Sequence, residues 1–281
     1  MKKFENILFC TDLDGTLLND EKQISKENLD AIEYFKSQGG KFTFITGRPP
    51  TISFDTYNKV KPNVPFGCFN GGGLYDGEKD ELIWSVLLPK SAEKLLEYVD
   101  KDFSKVGIQI NTQKNIYYQK ESSGTVLFRK ITNTPYIYGD FKTIKEPIVK
   151  VVFACLDVDY MEKFVESLPK HPLCKEFDFI RSELTLCEIL PKNVSKGNVL
   201  KILADYLKID MKNTIAIGDY NNDISMIKAA GVGVAVKNAV PDAKAAADII
   251  TVSNNEHAIA KIIDDIDMGI IRFGWYYEKT Y

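Results

Sequence analysis

The sequence predicts an α/β protein, a doubly wound parallel-sheet (Rossmann-like) core interrupted by an inserted α+β domain. Three observations carry that expectation. Both ends of the chain run in the order strand, helix, strand, the rhythm of βαβ units. The apolar runs at those ends are continuous instead of alternating, as in strands buried on both faces. The stretch between them mixes aromatic and β-branched runs with helices in no such rhythm. The expected division is residues 1–83 for the first part of the core, 84–188 for the insert and 189–281 for the second part of the core.

Ile7-Leu8-Phe9-Cys10 reads as the first buried strand and ends in Thr11-Asp12-Leu13-Asp14-Gly15-Thr16. A helix follows from Ser25, a suitable N-cap, to Gly39, a suitable C′ residue, with Leu29, Ile32 and Phe35 at helical spacing. Phe42-Thr43-Phe44-Ile45 is the second strand and stops at Thr46-Gly47-Arg48-Pro49. In the middle, Ile116-Tyr117-Tyr118 and Val149 to Ala154 read as strands, and residues 91–103 and 159–168 as helices. Beyond them, Ser195 precedes a helix with Val199, Leu200, Leu203 and Leu207 on one face. Ile215-Ala216-Ile217 then runs into Gly218-Asp219-Tyr220-Asn221-Asn222-Asp223. A helix from Ile224 to Ala230, a strand from Val232 to Val236 and an amphipathic helix carrying Ile259, Ile262, Ile263 and Ile266 close the pattern.

Of 281 residues, 36 are Lys or Arg and 39 are Asp or Glu, a net charge of −3 that argues against nucleic acid or an anionic membrane as the main partner. A 44% hydrophobic and 27% charged composition is that of a globular protein with a sizeable core, not of a disordered or fibrous one. Cys10, Cys68, Cys155, Cys174 and Cys187 are odd in number and show no CxxC or ligand-like spacing, which points to a reducing compartment and away from disulfides or zinc. The apolar run at the N-terminus is too short for a signal peptide, and no segment approaches a bilayer span; a cytoplasmic location is expected. Nothing in the sequence speaks to oligomeric state.

Three polar clusters follow directly on strand ends: Asp12/Asp14, Thr46/Gly47, and Asp219/Asn222/Asp223. In an open parallel sheet the carboxyl ends of the strands share one edge, where such folds bind ligands, so the clusters should converge. Carboxylates brought together repel unless something positive sits among them, and an all-oxygen set suits Mg²⁺ better than zinc or copper. Asp beside a divalent cation is a known covalent nucleophile, forming an aspartyl-phosphate. A second carboxyl two residues on can protonate the leaving oxygen and then deprotonate water. Alternation aims Leu13 away from the side Asp12 faces, while the turn at Gly15 frees Asp14. Thr46 can donate its hydroxyl to a phosphoryl oxygen, and Lys196 would place a charge at the anion-favouring end of a helix.

Asp12-Leu13-Asp14-Gly15-Thr16, Thr46-Gly47-Arg48, Lys196 and Gly218-Asp219-Tyr220-Asn221-Asn222-Asp223 resemble the four ordered motifs of the haloacid dehalogenase superfamily. The run from Ile215 through Ala247, with Ser225-Met226 and Asn238-Ala239, is similar to its Cof-type, sugar-phosphatase-like branch. The resemblance implies Asp12 as nucleophile and Mg²⁺ ligand, Asp14 as acid/base and ligand through its carbonyl, and Asp219 as third ligand. It implies that Asp223 supports the metal site from behind. Backbone amides of Leu13 and Gly47 and side chains of Thr46, Lys196 and Asn222 would hold the transferred phosphoryl.

Roughly 30 residues separate Asp14 from Thr46, too few for a domain, whereas about 150 separate Arg48 from Lys196, room for a domain of roughly 100. In this superfamily that placement resembles a C2-type cap, which implies a small phosphorylated metabolite as partner and a closing cap that excludes water and chooses the leaving group. The expected activity is Mg²⁺-dependent hydrolysis of small phosphomonoesters (sugar phosphates, phosphorylated cofactors or nucleotides). The rival readings are a phosphomutase and a non-catalytic phosphoryl-accepting switch; the size of the insert and the presence of Asp14 count against the switch.

Blander roles stand beside these. Arg48 suits either substrate contact or a pair with a nearby carboxylate, and Asp223 could also cap the helix after it. Asn70-Gly71-Gly72-Gly73 reads as a turn before it reads as a phosphate loop. Arg129, Arg181, Tyr117 and Tyr118 are expected to serve packing or surface, and neither His171 nor His257 is assigned a catalytic role. Asn254-Asn255-Glu256-His257 departs from the Asp-Gly pairing of the branch, which bears on loop shape alone.

Overall fold

The computed structural model describes residues 2–132 and 135–273. The chain forms two compact units, Met1–Ile83 with Ser195–Tyr281, and Trp84–Val194.

In the first unit, β1 (Leu8–Thr11) is followed by α1 (Lys26–Ser37), β2 (Lys41–Phe44), α2 (Pro50–Val60), β3 (Phe66–Cys68) and β4 (Gly73–Asp76). A further strand, β5 (Glu81–Ser85), extends the β3, β4 meander. Each residue of β1 is buried. Phe9 meets Phe35 of α1 and Phe42 of β2, while Leu8 and Cys10, which alternate to the other side, are fully buried as well. A strand covered on both faces has no polar side to show, which is why its sequence is continuously apolar. Ser25 caps α1 by accepting the Asn28 amide, and Gly39 closes it at φ +94°. The buried face of α1 differs from expectation at one point. Leu29 is only half-buried and Asn28 is fully buried, because its Oδ1 accepts the amide of Ala260 at 3.0 Å from the last helix of the unit. Helix α2, which begins with Pro50, is not foreshadowed by the apolar periodicity.

The second unit contains α3 (Ala92–Asp102), β6 (Gly107–Thr112), β7 (Ile116–Lys120), α4 (Ser123–Thr132), β8 (Ile137–Tyr138), β9 (Ile148–Ala154), α5 (Val158–Ser167), β10 (Phe177–Glu183) and β11 (Leu186–Pro191). Its sheet runs β10-β11-β9-β6-β7-β8, antiparallel except for β7 with β8. One face of the sheet packs Ile108, Ile110, Val151, Phe153 and Ile189 against Leu95, Val99, Met161 and Phe164. The positions alternating with these hold buried polar groups: Gln109, Asn111, and a Lys150–Glu188 ion pair at 2.9 Å. The unit ends at Val194, beyond β11, which pairs with β10 from Leu186 to Pro191 and with β9 from Leu186 to Ile189.

The chain returns to the first unit with α6 (Lys196–Leu207), β12 (Thr214–Gly218), α7 (Ile224–Ala229), β13 (Val232–Ala235), α8 (Pro241–Ala246), β14 (Ile249–Ile250) and α9 (Ala258–Asp267). The core sheet has the order β14-β13-β12-β1-β2 and is parallel throughout. The strand β1 lies between β12 and β2, with the chain's end segment winding off one side and its first βαβ unit off the other, the topology of a doubly wound fold. Among the described residues no helix is long and apolar enough to cross a membrane.

Candidate active site

The parallel register brings the polar clusters to one edge. Thr11 pairs with Ile217 and with Phe44, so Asp12, Thr46 and Asp219 each leave the sheet within two residues of the same level. The amide of Asp12 donates to Ile217 O at 2.9 Å, that of Ile45 to Thr11 O at 2.9 Å and that of Thr46 to Gly67 O at 3.0 Å. These ladder bonds fix three loops against one another before any side chain takes part.

Lys196 is the first residue of α6, whose N-cap Ser195 accepts the Asn198 amide at 3.2 Å. The Lys196 side chain is 1% exposed, and its Nζ donates to Asp12 Oδ1 and to Asp223 Oδ1, both at 2.6 Å. Asp223 Oδ2 accepts the amides of Asp219 and Tyr220, each at 3.0 Å, which shapes the loop that presents Asp219. Thr16 donates its hydroxyl to Asp219 Oδ1 at 2.9 Å. Three carboxylates thus face one ammonium. Burial works to discharge Lys196, but Asp12 and then Asp223 outweigh it and raise its pKa. The Asp12 carboxyl is pushed well above the usual carboxylate range by burial and then by the charge of Asp223, against the pull of Lys196. Asp219 is pushed up to about 6 by burial and then by Asp223.

Asp14 sits in a different field. Arg48 grips it in a fork, Nε to Oδ2 at 2.9 Å and Nη2 to Oδ1 at 2.7 Å, and Lys22 Nζ adds a contact at 3.0 Å. Burial works to raise this carboxyl, and the Arg48 guanidinium, followed by Lys22, more than offsets it, so its pKa lies below the usual range. Arg48 therefore pairs with a carboxylate, one of its two anticipated roles, and it holds Asp14 in the base form. Thr46 Oγ1 accepts the Arg48 amide at 3.2 Å and keeps its own hydrogen to donate.

The donor set suits a hard divalent cation. Ligand atoms of Asp12, Asp219 and Asp223 lie within 4.8 Å of one another, all are carboxylate oxygens, and the three charges exceed that of Lys196 by two. Both oxygens of Asp223 are already occupied by hydrogen bonds, which leaves Asp12 and Asp219 as the residues that would ligate. Gly15, at φ +76°, keeps space beside Asp219: a Cβ there would come within 2.5 Å of its Oδ2. Asn238 holds this turn by donating to Gly15 O at 2.8 Å.

A family model described as haloacid dehalogenase-like hydrolase matches residues 9–263. The chain belongs to this hydrolase family. A Streptococcus pyogenes protein with a provisional phosphatase name is 31% identical over 265 residues, which cover 91% of this chain and 96% of that one. The 5-amino-6-(5-phospho-D-ribitylamino)uracil phosphatase YwtE of Bacillus subtilis is 30% identical over 285 residues, covering 92% and 97%. The crystal structure of a haloacid dehalogenase-like hydrolase from Bacteroides thetaiotaomicron superposes with a TM-score of 0.82 at 28% identity, covering 92% of this chain and 99% of that chain.

Several groups of this haloacid dehalogenase-like hydrolase lie apart from the cluster, and others join it unannounced. In the second unit, Arg129 bonds Glu121 and Tyr138 with its guanidinium 5.5 Å from the Tyr118 ring. Arg181 bonds Glu162 and the Leu184 carbonyl, and Tyr117 donates to Glu146. All four are held by partners of their own unit. His171 stacks on Tyr98, and His257, at φ +61°, starts α9. Asn254 donates to Leu18 O at 3.1 Å and to Asp20 at 3.0 Å, so the departure from Asp-Gly in its loop has a local structural use. Thr16, Asn238 and Asn70 are the site neighbours that motif reading left without a role. For Thr16 the signal was present, a hydroxyl two residues after the second Asp of the first motif; for the other two the contact is purely tertiary.

Proposed function

We propose that the chain is a Mg²⁺-dependent phosphatase of small phosphomonoesters that works through an aspartyl-phosphate on Asp12. The observation that carries this reading is the buried Lys196 bonded at 2.6 Å to both Asp12 and Asp223, with Asp219 beside them at the carboxyl edge of the sheet. An ammonium on one carboxylate oxygen orients Asp12 as a nucleophile and screens it from the charge it must approach. The Asp12 carboxylate attacks phosphorus, the ester P–O bond breaks, and the leaving oxygen takes a proton from Asp14. Asp14 then removes a proton from water, whose oxygen attacks the phosphorus, releasing inorganic phosphate and restoring the Asp12 carboxylate. Donation by Asp14 requires its protonated form, so the Arg48 fork must loosen as the substrate's charge draws Arg48 or as the ester arrives. Thr46, Lys196, Asn222 and the Leu13 and Gly47 amides hold the phosphoryl oxygens. Asp12 and Asp219, with the Asp14 carbonyl, would hold Mg²⁺, which supplies positive charge against the carboxylates and the transferred group.

The relatives' names support small phosphorylated metabolites as substrates, and phosphorylated polyols such as the ribitylamino-uracil ester belong in the first panel. Release of inorganic phosphate from such a panel is expected with Mg²⁺ and is expected to fall at least ~100-fold in EDTA. Equal release in EDTA would sink the metal-dependent reading, and isomerised product without phosphate would favour a mutase.

The raised carboxyls predict a pH signature without substrate. Asp219, moved from its ordinary 3.8 to about 6, keeps its proton in the folded state where the unfolded chain has lost it. The contribution of Asp219 to metal-free stability should therefore decline as pH rises from about 4 to 6, a decline that replacing it by Asn removes. A cation that binds the ionised pair reverses the trend, so Mg²⁺ is expected to raise Tm more at pH 7 than at pH 5. Thermal melts in EDTA and in Mg²⁺ across that range check the sign.

A further inference from the structure

We propose that Asn70 is a positioning residue that sets the amide of Asn222 and the turn at Gly47 for the phosphoryl group, an inference that rests on the phosphatase reading above. A hairpin between β3 and β4 needs only a tight turn, and an Asn in such a turn is normally solvated. Here Asn70 is 1% exposed. It and Phe69 both adopt left-handed backbone, φ 56° and 54°. Asn tolerates that region, but Phe does not favour it, and two successive such residues persist only where the surroundings hold them.

What holds them is the edge of the sheet that carries the chemistry. The Asn70 amide donates to Thr46 O at 3.0 Å and the Phe69 amide to Arg48 O at 3.1 Å, so the turn clamps Gly47 from both sides. A Cβ on Gly47 would meet Asn70 Oδ1 at 2.8 Å, which shows how closely the two approach. At the other end, a Cβ on Gly71 would lie 2.1 Å from Ser195 O, at the cap that precedes Lys196. Asn222 Nδ2 then donates to Asn70 Oδ1 at 3.0 Å across 152 positions of sequence. One short turn therefore touches the loops that carry Thr46, Lys196 and Asn222. Its side chain takes one of the two amide hydrogens of Asn222 and so fixes which way that amide faces.

The test is a double-mutant cycle in the full-length protein: Asn70→Gly, Asn222→Ala and both together, assayed for phosphate release with Mg²⁺, with Tm recorded for each. Glycine keeps the left-handed backbone without strain and the backbone N–H that holds Thr46 O beside Gly47, and it removes the side chain that reaches Asn222. Asn70→Gly is expected to lower kcat about 10- to 100-fold, the loss typical of misplaced groups, with KM little changed and Tm within ~3 °C of the parent. In the Asn222→Ala background the same change should lower kcat less than ~2-fold, because the residue acts through Asn222. Additive losses, an unchanged kcat in Asn70→Gly, or a loss that merely tracks a fallen Tm would each overturn the proposal alone. No phosphate release from the unmodified protein on any ester would overturn the phosphatase reading and this proposal with it.

Discussion

Replacing Asp12 by Asn is expected to lower phosphate release by ~10⁴-fold or more while leaving the fold intact, since an amide cannot form the proposed aspartyl-phosphate. The variant should also be more heat-stable than the parent in EDTA. Asp12, Asp219 and Asp223 share one ammonium, and the folded state raises the pKa of Asp12 through burial and then the charge of Asp223. An acid whose folded pKa is raised weakens the fold once it ionises, so at pH 7 the neutral amide removes a destabilising charge. Lys196 keeps Asp223 as partner at 2.6 Å, so no buried charge is stranded. A rise in Tm of a few degrees is expected. Near-parent phosphate release by this variant would remove Asp12 from the nucleophile's role, and a large fall in Tm would contradict the electrostatic account.

Lys196→Met should do the opposite to stability and damage activity severely, though less than Asp12→Asn. Methionine fills the space but leaves Asp12 and Asp223 buried together without their cation. Breaking a buried pair in this way costs about 3–5 kcal/mol, and Lys196 is 1% exposed, so solvent offers little screening. For a chain of this size that corresponds to a fall in Tm of roughly 10 °C in EDTA, with kcat down ~10³-fold. Adding Asp12→Asn to Lys196→Met should restore part of the lost Tm and none of the activity, because the two residues are coupled. Calorimetry of the parent, both single variants and the double variant reads this directly. A double variant less stable than Lys196→Met alone would show that repulsion between the carboxylates is not what Lys196 relieves.

Legibility differed by the kind of signal each element carries. The strands β1, β2 and β12 were readable because a strand covered on both faces must be apolar at every position. The helices α1 and α6 were readable because their N-cap serines and apolar stripes are local. Helices α2 and α8 were missed: each begins with a proline and has too little apolar periodicity to stand out. Helix α4 was missed as well; Leu127 and Ile131 on it are exposed, so its apolar spacing does not mark a core-facing stripe alone. Asn28 was hidden by its polarity, because only a partner helix reveals why an amide should be buried on α1.

The same division runs through the site. The identities and order of Asp12, Asp14, Thr46, Lys196, Asp219 and Asp223, and their convergence on one sheet edge, were determined by the sequence alone. They sit at strand ends or a helix start, and the parallel α/β topology forces such positions together. What only the tertiary structure decided is how they share charge: Lys196 between Asp12 and Asp223, Asp14 in the fork of Arg48 and Lys22, and Asn70 against Asn222. Motif spacing specifies which backbone segments meet, within a residue or two. Hydrogen-bond partners and pKa shifts depend on differences of about an ångström and on burial, and those exist only once distant segments have packed.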